Sequence, residues 1–186
     1  ENFKKINPEE TFKLPLQIFQ PWSAPVLMTV LPPSILSIMM QVTNSLVADK
    51  EAKNFGHTLA GQIESEIEIS LPLLSELGLR TFLEGVVREY VSLCQRQAHP
   101  FAVDAINKKR WATQVTSAWV VSQRPDEYNP VHFHSGSVSA VMYLKMPEML
   151  PSRKQLTSNK DDGSIAFISS ASRELDLTTP VLQVLP

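Results

Sequence analysis

The sequence predicts an α+β fold with helices packed on one outer face of an antiparallel barrel or sandwich. Helical periodicity dominates the first 110 residues, while β-branched and aromatic runs separated by Pro, Ser, Asn and Asp dominate the remainder. The 186 residues, 43% of them hydrophobic, also suffice for one domain with a real core.

Residues 1–23 mix proline, aromatic and charged groups without a period and are expected to lie on the domain as an arm. Val26 to Leu31, bounded by Pro25 and Pro32, reads as a short buried strand. Pro33 opens a helix, where its missing N–H costs little, and Ile35, Ile38, Met39, Val42 and Leu46 recur on one face. The polar, acidic stretch 50–68 ends in the alternation Gln62-Ile63-Glu64-Ser65-Glu66-Ile67-Glu68-Ile69, a strand with one wet face or an extended edge. Ser70 is placed as the N-cap of a long helix with Leu74, Leu77, Leu83, Val86, Val87, Tyr90 and Leu93 on its apolar side. That helix should stop before His99-Pro100, because the residue preceding proline is pushed out of helical geometry; Gly78 and Gly85 weaken it. Beyond residue 110, strands are predicted at 114–121, 131–134, 138–145, 164–168 and 181–185. Residues 1–110 thus supply the arm, first strands and bracing helices of a single domain, and 111–186 its sheet.

Lys and Arg total 17 against 19 for Asp and Glu, a net charge of −2, which provides no general attraction to nucleic acid or an anionic membrane. The basic run Lys108-Lys109-Arg110 is short and reads as a solvated turn. The lone Cys94 leaves no partner for an internal disulfide and sits in a helical pattern, as a small packed apolar residue in a reducing setting. No apolar run reaches the roughly 20 residues of a membrane helix, and Glu1-Asn2-Phe3-Lys4-Lys5 lacks a secretory layout. A soluble, cytoplasmic protein is expected, with self-association left open.

The stretch that points to chemistry is Asn129-Pro130-Val131-His132-Phe133-His134. On a strand, alternate side chains share a face, so His132 and His134 would aim together into one cavity and Phe133 into the opposite layer. Two imidazoles so placed bind one divalent metal. A bare His-x-His also arises by chance. Here half of the four histidines are concentrated in it, and a polar turn (Ser135-Gly136-Ser137) leads directly into an apolar run.

The segment NPVHFHSGSVSAVMYLKMP, residues 129–147, resembles the metal-binding heart of the iron(II)/2-oxoglutarate-dependent oxygenases of the prolyl-hydroxylase-like kind. In that family a strand carries His-x-Asp, Glu or sometimes His, a following strand ends in Tyr-Leu, and a glycine opens another strand. His132, His134, Tyr143-Leu144 and Gly163-Ser164-Ile165-Ala166-Phe167 appear in that order, so the resemblance covers roughly the last 75 residues. It implies a double-stranded β-helix (jelly-roll) barrel, with the first half of the chain as bracing helices. It implies that His132 and His134 are metal ligands and that Tyr143 reaches the 2-oxoglutarate carboxylate. Gly163 would let its strand begin tightly, and Trp119, Ser122 and Tyr128 would line the substrate side. Fe(II) would be the metal and 2-oxoglutarate the co-substrate. The activity would be hydroxylation of a C–H bond on a small molecule or peptide, coupled to conversion of 2-oxoglutarate to succinate and CO2.

The pattern departs from the family in two ways. His134 stands where a carboxylate is usual, which leaves more positive charge on the metal. The family's distal histidine and the basic residue that pairs with 2-oxoglutarate follow the strand matched by Val181–Leu185 and would lie beyond Pro186; His57 and His99 precede the barrel strands and are poor substitutes. These departures support an alternative, a non-catalytic binding or structural protein that keeps the barrel with an incomplete metal site. A zinc hydrolase using HxHxDH is excluded by Gly136, and a cupin-like module would want a glutamate closer than Glu148.

Overall fold

The computed structural model describes residues 15–19, 25–56, 62–125, 127–132, 134–146, 165–168 and 181–184. The chain divides into two compact units, one of Glu1–Gln17 with Leu27–Ala140 and one of Ile18–Val26 with Val141–Pro186. Strands β1 (Gln17–Phe19) and β2 (Val26–Met28) pair with one another.

Helix α1 spans Pro33–Ala48, with proline in its first turn as expected. Ile35, Ile38, Met39 and Val42 line its buried face, and the hydroxyl of buried Thr43 is satisfied by donating to the Met39 carbonyl at 2.8 Å. The single long helix expected from Ser70 is broken in two. Ser70 caps α2 (Leu71–Glu76) by accepting from the Leu73 N–H at 3.4 Å, and α3 runs Leu79–Ala98. Between them Gly78 takes a left-handed conformation, φ 75°, which glycine alone adopts without a steric penalty. The kink brings Leu74, Leu77, Leu79 and Phe82 into the core together; Phe82, absent from the predicted apolar stripe, is among the most deeply buried side chains, whereas Leu83, Val86 and Val87 are only half-buried. His99 closes α3, a 3-10 turn (Pro100–Ala102) follows, and α4 (Val103–Lys108) adds buried Ile106.

Strand β3 (Glu66–Glu68) pairs antiparallel with β4 (Trp119–Val121), with Glu66 opposite Val121, Ile67 opposite Val120 and Glu68 opposite Trp119. The strand predicted over 114–121 is shortened because its first half is held by α3. The Glu84 side chain accepts from the Val115 N–H at 3.2 Å, and Thr113 donates to the Glu84 carbonyl at 3.0 Å. Strand β3 is flanked on its other edge by residues 53–55, through Phe55 N–H to Glu66 O (2.8 Å) and Glu68 N–H to Lys53 O (3.1 Å). Gly56 is required where that flank turns, since a Cβ there would stand 2.5 Å from the Ile63 carbonyl oxygen. Ile63, Ile67 and Ile69 enter the core, as the alternation predicts. In the second unit, β5 (Ile165–Ile168) and β6 (Val181–Val184) form an antiparallel pair with Ile165 opposite Val184.

The jelly-roll barrel is therefore corrected. Among the described residues the strands form three separate two-stranded ladders, none of them closed. Among the described residues the strands expected at 131–134 and 138–145 do not form. The described residues 131–137 bend, and 138–146 carry no ladder. Local chemistry accounts for the bend. Pro130 has no N–H to donate, its carbonyl is taken by the His132 ring, and Gly136 sits at φ 98°.

Candidate metal centre

The platform beneath the histidines is the β3–β4 pair. A loop crossed by polar bonds joins β4 to the histidine segment. The Glu127 carboxylate accepts from the Arg124 N–H at 2.7 Å and the Glu64 N–H at 3.1 Å, and these two donors hold its carboxyl below the ordinary glutamate range. Tyr128 O accepts from Gln62 N–H at 2.9 Å, which sets the point where the chain leaves for His132.

From there the imidazoles turn inward on each other. His132 Nδ1 lies 2.6 Å from the Pro130 carbonyl oxygen, and a carbonyl only accepts, so Nδ1 carries a proton and Nε2 is the nitrogen left to act as acceptor in the neutral ring. His132 Nε2 is hydrogen-bonded to His134 Nε2 at 3.0 Å, one of the two nitrogens carrying the shared proton, with the rings edge to face at 82°. His134 rests on Trp119 of β4, ring centroids 5.7 Å apart. The expected meeting of the two rings occurs, by a bend rather than by strand alternation; Phe133 lies outside the described residues.

The spacing suits cis ligands. With metal–nitrogen bonds of about 2.1 Å, neighbouring octahedral ligands stand about 3.0 Å apart and tetrahedral ones about 3.4 Å. A backbone carbonyl that fixes the far nitrogen of a ligating histidine is the usual outer support of a metal site. Two ligands are not a full set. Among the described residues no group of three or more His, Cys, Asp or Glu side chains gathers closely enough to hold an ion.

Glu66 was missed by sequence reasoning, which put it on a wet face with Glu64 and Glu68. Glu64 pairs with Arg124, and Glu68 pairs with Lys53 at 2.9 Å. Glu66 is only 1% exposed, and its Oε2 has no hydrogen-bond partner among the described residues. Burial pushes its carboxyl above the ordinary range, and the field of His132 opposes this. Asn54 holds the backbone around it, accepting from the Gly56 N–H (2.9 Å) and the Glu66 N–H (3.1 Å) and donating to the Glu64 carbonyl (2.7 Å). No local signal separates Glu66 from its two neighbours in the alternation.

Tyr143 belongs to the second unit; it is half-buried, and that burial raises its phenol. Tyr128 is exposed, and Ser122 donates its N–H to Ser65 O at 2.9 Å, extending the β3–β4 ladder. Gly163 and His57 lie outside the described residues, and His99 is exposed at the end of α3. Cys94 is half-buried on α3, where burial raises its thiol despite a hydrogen bond with Tyr90, as suits a packed residue rather than a nucleophile. No described helix is long and apolar enough to cross a membrane. No family model, curated protein or solved structure matches the chain.

Proposed function

We propose that the chain binds a divalent metal through His132 and His134 and uses it as an Fe(II)/2-oxoglutarate-dependent oxygenase that hydroxylates a small molecule or peptide. The observation that carries the metal reading is the 3.0 Å approach of the two Nε2 atoms with the His132 proton held on Nδ1. The oxygenase assignment adds the order of residues from His132 through Tyr143-Leu144 to Ile165-Ala166-Phe167. When bound, Fe(II) with 2-oxoglutarate supplies oxygen-dependent C–H hydroxylation. The chain's own residues do the positioning. Pro130 holds the proton on His132 Nδ1 and orients that ring, and Trp119 backs His134.

A second reading, metal binding without turnover, is favoured by the exposure of both histidines, since a hydroxylating site must keep water away. One experiment separates the two. Fe(II) and 2-oxoglutarate are added anaerobically, and the weak visible charge-transfer band of the chelate is sought. The oxygenase reading expects the band in the parent protein and its loss in His132→Ala. Metal binding without the band, and without succinate on admission of O2, leaves the second reading. No binding at all removes both.

A further inference from the structure

Glu64, just before β3, and Glu66 and Glu68 on it stand at alternating positions, yet they are treated unequally. The two outer ones are exposed and each has a cationic partner, Arg124 for Glu64 and Lys53 for Glu68. Glu66 between them is sealed from solvent with an unsatisfied oxygen. An ionised carboxylate buried without a partner is strongly unfavourable, so such a group either keeps its proton, as the raised carboxyl of Glu66 allows, or takes a cation from elsewhere.

The sheet register shows where that cation would stand. Glu66 is opposite Val121 and Glu68 opposite Trp119, so Glu66 and Trp119 are diagonal neighbours on one face, about 7–8 Å apart by ladder geometry. The Trp119 ring carries His134, and His134 meets His132. The buried acid and the imidazole pair therefore occupy the same side of the same two strands. Neither imidazole hydrogen-bonds to Glu66. Their adjacent nitrogens face each other, and His132 Nδ1 is spent on Pro130.

We infer that Glu66 is the anionic partner of the divalent ion held by His132 and His134, acting on it through a bound water. The inference rests on the metal reading above. It gives a two-imidazole site the negative charge that its ligands lack, and it explains why a glutamate is kept buried on a face whose other acids are solvated. Contact runs through water because the three side chains do not close on one point.

Co(II) is the probe, titrated into the 186-residue chain and followed by its visible absorption, with the thermal midpoint of the metal-free protein measured in parallel. The parent chain should bind Co(II), and His132→Ala should not. Glu66→Gln should weaken binding by about 10–100-fold, the range for outer partners of a metal site, and should raise the metal-free midpoint because a buried charge is gone. Glu66→Asp should retain part of the affinity, and Glu68→Gln should leave it unchanged. Parent-like affinity in Glu66→Gln overturns the role of Glu66 while leaving the histidine site standing. Absence of binding in the parent chain overturns the site itself. A lowered midpoint or loss of folding in Glu66→Gln also overturns the inference, since the carboxylate would then be stabilising the metal-free fold.

Discussion

Phe82 and Glu66 are both sealed from solvent in the first compact unit, at 2% and 1% exposure, and their surroundings could hardly differ more. At the α2–α3 junction the chain buries hydrocarbon against hydrocarbon, and each buried side chain stabilises the fold through area removed from water. On β3 it buries a carboxyl oxygen that finds no donor among the described residues, on the strand pair that carries two exposed imidazoles whose nitrogens point at each other. The first region is what stability alone would select. The second leaves a buried carboxyl oxygen without a partner among the described residues, the kind of local exception at which a ligand is expected to act.

The contrast can be broken most directly at Phe82. Phe82→Ala should cost about 3–5 kcal/mol in urea unfolding, the range for deleting a buried aromatic. A loss below about 1 kcal/mol would show that the kink at Gly78 does not organise the core.

A smaller effect, read as a pH slope, is expected at Glu84. Burial alone would raise its carboxyl, but the Arg80 side chain at 2.9 Å, the Val115 N–H and nearby Arg88 together bring it below the ordinary value of 4.5. Because the folded value is the lower one, this contribution is fully present above the unfolded value and is lost as pH falls through the folded one. Glu84→Gln should lack that slope in acid denaturation, and an unchanged profile would mean that Glu84 does not hold residues 113–115 on α3.

The smallest effect should come from the candidate site. His132→Ala should change metal-free stability by less than about 0.5 kcal/mol, because the ring is exposed and its bonds are to a carbonyl and to one other ring. A much larger loss would make the imidazole pair a structural clasp and blur the comparison.

Much of the scaffold was legible in advance. Proline at the start of α1, the Ser70 cap, the stop at His99-Pro100 and the strand runs at 165–168 and 181–184 are short-range signals, set by backbone sterics and side-chain period. So was the meeting of His132 and His134, although strand alternation was the wrong reason for it. The barrel read from the sequence does not form among the described residues, because whether a β-prone run becomes a strand depends on finding a ladder partner. The run from Gln114 gives a backbone donor to Glu84, and the run at Val131 is bent by the Pro130 contact.

Length, composition and periodicity by themselves determined that the first 110 residues are mainly helical and that short strands follow. Tertiary structure alone decided that α2 and α3 separate at Gly78 and that the strands pair in twos. It also decided that one of three alternating glutamates is buried. The physical reason is range. Periodicity acts over a few residues, whereas Arg124 and Lys53 reach Glu64 and Glu68 from opposite edges of β3 and leave the Glu66 Oε2 without a partner among the described residues.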